Sequence, residues 1–120
     1  MITLKPYQER VLASLRAFLH GCGSGREPGD AYRSVLEANG GAAVPYIPVV
    51  AAGLAPQMPY VCLRVPTGGG KTLIACHAIG IAKDELLHAE RAVVLWLVPS
   101  NTILDQTADA LRDPGHAYRR

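Results

Sequence analysis

Charge of one sign is scarce in this chain: Lys and Arg number 12 against 10 Asp and Glu, leaving a net charge of +2 over 120 residues. A dedicated duplex-binding module carries a stronger basic stripe. Any nucleic-acid contact therefore has to come from local backbone chemistry or from parts of a larger protein. Cysteines number 3, namely Cys22, Cys62 and Cys76, with no CxxC pair and no histidine at zinc-ligand spacing. That excludes a zinc motif and an even disulfide framework, and points to reduced thiols in the cytoplasm. Long apolar runs are missing too, since none approaches the roughly 20 residues that a membrane span requires. The stretch Ala42–Ala55 is apolar, but Pro45, Pro48 and Pro56, in or beside it, rule out a regular helix. Met1–Tyr7 holds Lys5 and Pro6 and no apolar run, so no signal peptide is expected. Internal repeats and low-complexity tracts are absent. What is present, 49% hydrophobic and 18% charged residues, reads as globular, and the length suits one small domain.

Periodicity organises the rest. Residues Tyr7–His20 read as an amphipathic helix, with Val11, Leu12, Leu15, Phe18 and Leu19 at helical spacing, Pro6 in the first turn and Gly21 at the stop. Gly21–Gly29 is expected to be a flexible loop whose glycines serve turns. Asp30 is a candidate cap for a short helix, Ala31–Asn39, ended by Gly40 and Gly41. The proline-broken stretch to Pro59 is expected to lie extended over a core. Tyr60–Val65 is rich in β-forming residues and reads as a buried strand. Lys71–His88 reads as a helix with Gly80 as a weak point. Ala92–Val98 is apolar throughout, as in a parallel strand covered on both faces. Pro99–Asn101 turns the chain into a last helix, Thr102–Arg112. A strand, helix, strand and helix in that order imply an α/β fold. Two strands make too small a parallel sheet to be an independent core, which implies the opening part of a larger domain.

Between the first strand and its helix lies Val65-Pro66-Thr67-Gly68-Gly69-Gly70-Lys71-Thr72. The phosphate-binding pattern is G-x-x-x-x-G-K-[ST] in that setting. Gly70-Lys71-Thr72 fits it, and Val65 replaces the first glycine. The chemistry follows from the residue types. A loop that turns its N–H groups inward around a polyphosphate needs backbone conformations that Gly68, Gly69 and Gly70 permit. The next helix aims its free N–H groups and positive dipole end at the same anion. Lys71 can reach the β- and γ-phosphate oxygens, and the Thr72 hydroxyl can join a Mg²⁺ shell. The plain alternative is a glycine-rich turn with Lys71 as a solvated charge.

Pro66–Thr72 resembles motif I of superfamily two helicases and translocases, and its flavour is closest to the DEAD/DEAH-type ATPases related to the ResIII subunit of type III restriction enzymes. Leu4-Lys5-Pro6-Tyr7-Gln8 is similar to the adenine-reading Q motif, and the resemblance makes Gln8 the adenine sensor. Val98-Pro99-Ser100-Asn101-Thr102-Ile103-Leu104-Asp105-Gln106 looks like motif Ia. There Pro99, Ser100, Asn101 and Thr102 would touch the phosphate backbone of the tracked strand, although Ser100 or Thr102 could equally be plain helix caps. The resemblance implies a P-loop NTPase (RecA-like) parallel sheet with flanking helices, present as its N-terminal part. Residues 1–20 would form the Q-motif-like helix, 21–59 an insertion, and 60–120 a βαβα unit. It further implies ATP and Mg²⁺ as cofactors, Lys71 as the catalytic lysine, DNA in preference to RNA as the track, and a second RecA-like lobe as partner.

The family's acidic D-E-x-[HD] box does not follow in this sequence. Asp84-Glu85 lies within a helix with no apolar strand before it and reads as a solvated face. This chain by itself is therefore expected to bind ATP without efficient turnover. His20, His77, His88 and His116 are scattered, Trp96 reads as core, and Tyr118-Arg119-Arg120 is too short for a basic patch. Three other readings stand beside a helicase segment. One is the motor subunit of a restriction endonuclease, with a separate nuclease or modification subunit. Another is a non-catalytic nucleotide-binding remnant. The third is a different P-loop class such as a kinase or GTPase, for which no guanine-reading N-K-x-D appears.

Overall fold

A computed structural model describes residues 3–41, 44–55, 57–66 and 70–97. Helix α1 spans Pro6–Gly23, α2 spans Pro28–Ala38, and α3 spans Lys71–Ile81. A π-helical turn, Ala82–Leu87, continues α3 without a break.

The apolar periodicity of α1 is realised as one stripe. Leu12, Leu15, Phe18 and Leu19 are buried, and with Ala31 of α2, Ile74 of α3 and Ile81 they form the core. Around it Phe18, Tyr32 and Tyr46 form a ring cluster with centroid separations of 5.4–6.3 Å. The Tyr60 N–H donates to the Tyr46 hydroxyl at 3.0 Å. Tyr46 thus anchors the proline-broken stretch on the core, but the stretch does not cover it as expected, since Val44, Ile47, Val50 and Leu54 are exposed.

Helix α1 runs to Gly23, two residues past the stop expected at Gly21. Its glycines serve close approach rather than a turn. A Cβ on Gly21 would lie 3.0 Å from the Ala31 Cβ, and one on Gly23 would overlap the Glu85 carbonyl oxygen. The turn falls at Gly25 instead, with φ +95°. Helix α2 likewise begins earlier than expected. Pro28 occupies its first position, where a missing N–H costs nothing, and Asp30 sits in the first turn instead of capping it.

The expected α/β class, a RecA-like parallel sheet of the P-loop NTPase type, is not what the structure shows. Among the described residues there is no strand. Tyr60–Val65 keeps the alternation of one: Val61, Leu63 and Val65 are half-buried on the helical core, while Tyr60, Cys62 and Arg64 are exposed. It nonetheless forms no ladder. The described part of the second expected strand, residues 92–97, is not against it either: Val93 is fully exposed, Leu95 and Leu97 are 82% exposed, and Trp96 is half-buried rather than core. The physical reason is that a strand is defined by its partner. β-propensity describes a residue's fit to a pleated surface, and two segments alone do not make a stable parallel sheet. Helix packing on α1 wins instead. The rest of that segment, Val98, the Pro99–Asn101 turn and the Thr102–Arg112 helix lie outside the described residues.

The helix expected over Lys71–His88 is present but changes pitch at Ala82, and His88 ends it in the left-handed conformation, with φ 50°. This wider turn presses on α1. Arg16 Nη1 donates to Glu85 Oε1 at 2.8 Å, and His20 Nδ1 lies 2.9 Å from Glu85 Oε2. His88 Nε2 lies 3.1 Å from the Gly23 carbonyl oxygen, one of the orphan acceptors at the end of α1. Glu85 is thus a bridge between helices rather than part of a solvated face. The His20 and Arg16 hydrogen bonds hold its carboxyl below the ordinary value of 4.5.

Two expectations follow. Gly23→Ala should destabilise the fold by about 1–3 kcal/mol, because its methyl meets backbone that cannot yield. Gly80→Ala should stabilise it by roughly 0.5–1 kcal/mol, since that position is helical and open. Circular dichroism melts read both. The Glu85 bridge stabilises the fold when the carboxylate is charged, and that contribution is lost as pH falls through its lowered pKa. Glu85→Gln should therefore melt below the parent protein at pH 7, and the difference should fade as pH drops below 4.5.

Candidate functional site

The mouth of α3 gathers the groups that sequence pattern marks as phosphate-binding. Gly70 caps the helix in the left-handed conformation, with φ 77° and ψ 41°, and its carbonyl accepts from the Ile74 N–H at 3.0 Å to close the first turn. Leu73 and Ile74, both buried, pin this turn to the body of the protein. Lys71 is exposed and Thr72 is half-buried at its rim. The local sequence explains the split: the two residues that follow the glycine are polar, and the next two are core aliphatics. No acidic residue lies in the first turn of α3. The leading N–H groups of a helix have no intrahelical acceptor and carry its positive dipole end. Cation, hydroxyl and N–H groups thus share the first turn of α3 with no carboxylate in that turn, a donor set that suits an anion and, through Thr72, a hydrated divalent cation.

Gln8 arrives at the same place from the far end of the sequence. It is 5% exposed, the one buried polar side chain among the described residues. Its Oε1 accepts from the Lys5 N–H at 2.8 Å, the returning half of a capping box that starts α1. Its amide nitrogen then faces Gly70, where a Cβ would stand 2.5 Å from Nε2. Of the remaining expected site residues, Pro66 is exposed at the entry to the loop. Thr67, Gly68, Gly69, Pro99, Ser100, Asn101 and Thr102 lie outside the described residues.

Thiol chemistry is not built into this site. Cys76, on α3, and Cys22 are each half-buried, and burial pushes both thiols above their ordinary value and away from the reactive thiolate. Among the described residues no group of His, Cys, Asp and Glu could hold a metal ion, and no helix is long and apolar enough to cross a membrane. Sequence reasoning missed Arg16, His20, Glu85 and His88 as a connected set. Their only sequence signal is charge at helical spacing, which does not say which helix lies opposite.

The family model described as type III restriction enzyme, res subunit, matches residues 1–120. No curated protein and no solved structure matches the chain.

The geometry at Gly70 makes a double-mutant prediction. Gly70→Ala should destabilise the fold by about 1–2 kcal/mol for the left-handed backbone alone, and further because its methyl displaces the Gln8 amide. Thermal melts of Gly70→Ala, Gln8→Ala and the double variant should show the second loss relieved in the double variant. Simple additivity would place Gln8 out of contact with residue 70.

Proposed function

The chain belongs to the type III restriction enzyme res subunit family, whose members are helicase-like, ATP-hydrolysing enzymes, and on that premise we propose that it is the ATP-binding segment of an ATP-dependent DNA helicase or translocase. The observation that supports this most is the mouth of α3, where left-handed Gly70 leads directly into exposed Lys71 and Thr72 over a buried anchor. In this reading Pro66–Thr72 hold the β- and γ-phosphates of ATP. Lys71 places its ammonium on the γ-phosphate oxygens, and the helix N-terminus offers N–H groups to the others. The Thr72 hydroxyl would hold Mg²⁺, which would supply charge neutralisation on the polyphosphate. Gln8 reads adenine: its Nε2 donates to N7 and its Oε1 accepts from the N6 amino group. Pro99, Ser100, Asn101 and Thr102 take the phosphate backbone of a DNA strand.

Three free thiols suit a cytoplasmic setting. The description of the family favours a second reading within the same class, the ATP-driven motor of a type III-like restriction endonuclease, in which a separate nuclease part cleaves DNA.

Titration calorimetry of Mg·ATP against the chain tests the core of this proposal. Lys71→Ala should abolish measurable binding while leaving the melting temperature within about 1 °C, since Lys71 is exposed and packs against nothing in the core. Unchanged ATP affinity in that variant would sink the phosphate assignment. Ser100→Ala with Thr102→Ala should weaken single-stranded DNA binding and flatten its salt dependence, read by fluorescence anisotropy.

A further inference from the structure

Gln8 does more at this site than a base sensor needs. An adenine reader requires an amide that is oriented and within reach of the base. Here the amide is also buried, tied by Oε1 to the Lys5 N–H, and set where the side chain of residue 70 would otherwise stand. The Lys5 bond decides which end of the amide faces which way, because an N–H can pair only with the oxygen. Nε2 is therefore turned to Gly70 by the start of α1 itself.

We propose that Gln8 is a positioning residue for the phosphate site, holding Gly70 in its left-handed conformation and so contributing to polyphosphate binding whatever base the nucleotide carries. This rests on the reading of Gly70–Thr72 as the phosphate site. Gly70 sets the angle at which the chain enters α3, and its carbonyl closes the first turn through Ile74. A glycine on its own samples left- and right-handed backbone about equally. Filling the space beside its Cα with a fixed amide removes alternatives before the ligand arrives, and such preorganisation raises affinity by lowering the ordering cost of binding. Helix α1 supports the arrangement from end to end: its first turn holds Gln8 at the mouth of α3, while Arg16, His20 and Gly23 hold the π-helical turn at the other end. Gln8 thus reports to Gly70 through a helix gripped at both termini.

The test uses three ligands on the 120-residue chain, with Mg²⁺ present throughout: ATP, GTP and inorganic tripolyphosphate, titrated by calorimetry. The variants are Gln8→Ala, Gln8→Met and Lys71→Ala. Met keeps the length and apolar stem of the buried side chain and removes the amide, so it stands in should the Ala variant fail to fold. Loss of the amide should weaken GTP and tripolyphosphate by a common factor of about five to ten, and ATP by at least as much. Amide hydrogen exchange at Ile74, whose N–H pairs with the Gly70 carbonyl, should quicken in the unliganded Gln8→Met chain, with Leu15–Leu19 of α1 unchanged. A Gln8 variant that loses affinity for ATP alone, with GTP and tripolyphosphate binding as before, would overturn the inference and leave Gln8 a base reader only. Tripolyphosphate binding that is absent from the parent chain, or indifferent to Lys71→Ala, would overturn the phosphate site itself and this inference with it.

Discussion

Leu12, Leu15, Phe18 and Leu19 make one apolar stripe along α1, and every other described helix is held by contact with that helix. Helix α2 meets it through Ala31, against a glycine that lets the two backbones approach. Helix α3 meets it through Ile74 and Ile81, and the π-helical turn meets it where Gly23 leaves room for the Glu85 carbonyl. Burying such a stripe is worth about 1.5–3 kcal/mol per large aliphatic side chain. No other described element offers a comparable continuous face. The helix therefore acts as a central strut, and the elements that touch it are positioned relative to one another through it.

That arrangement explains how Gln8 and Gly70, far apart in the sequence, come to lie against each other. Gln8 belongs to the first turn of the strut, and Gly70 opens the helix that lies along it. Because Leu73 and Ile74 are buried immediately after Lys71 and Thr72, the polar pair is carried to the rim as a consequence of core packing. The first turn of α3 carries N–H groups, a hydroxyl and a cation, without a carboxylate in the same turn. At the far end, Arg16, His20 and His88 use polar bridges, not apolar burial, to hold the π-helical turn. There the backbones come too close for side chains to interdigitate.

Local sequence reading succeeded where a feature depends on neighbours in the chain. The apolar spacing of α1, the proline at the start of α2 and the glycine before Lys71 are all legible without coordinates. It failed where the outcome depends on what lies opposite. Tyr60–Val65 has the alternation of a strand and Ala92–Val98 the composition of one, but a ladder requires a second backbone at ladder distance, and none is there among the described residues. Gly21 and Gly23 read as loop glycines for the same reason: a glycine for a turn and a glycine for a close approach are the same letter.

The sequence by itself determined the residue types at the mouth of α3: Gly70, whose left-handed backbone suits glycine, followed directly by the polar pair Lys71 and Thr72. It also determined the helical stripe of α1, which is a matter of period alone. Only the tertiary structure decided that Gln8 stands against Gly70, that Glu85 bridges to α1, and that the apolar segments lie as single extended strips on or beside a helical core. Each of those is a contact between residues far apart in the chain, and the free energy of such a contact depends on shapes and distances that no local pattern encodes.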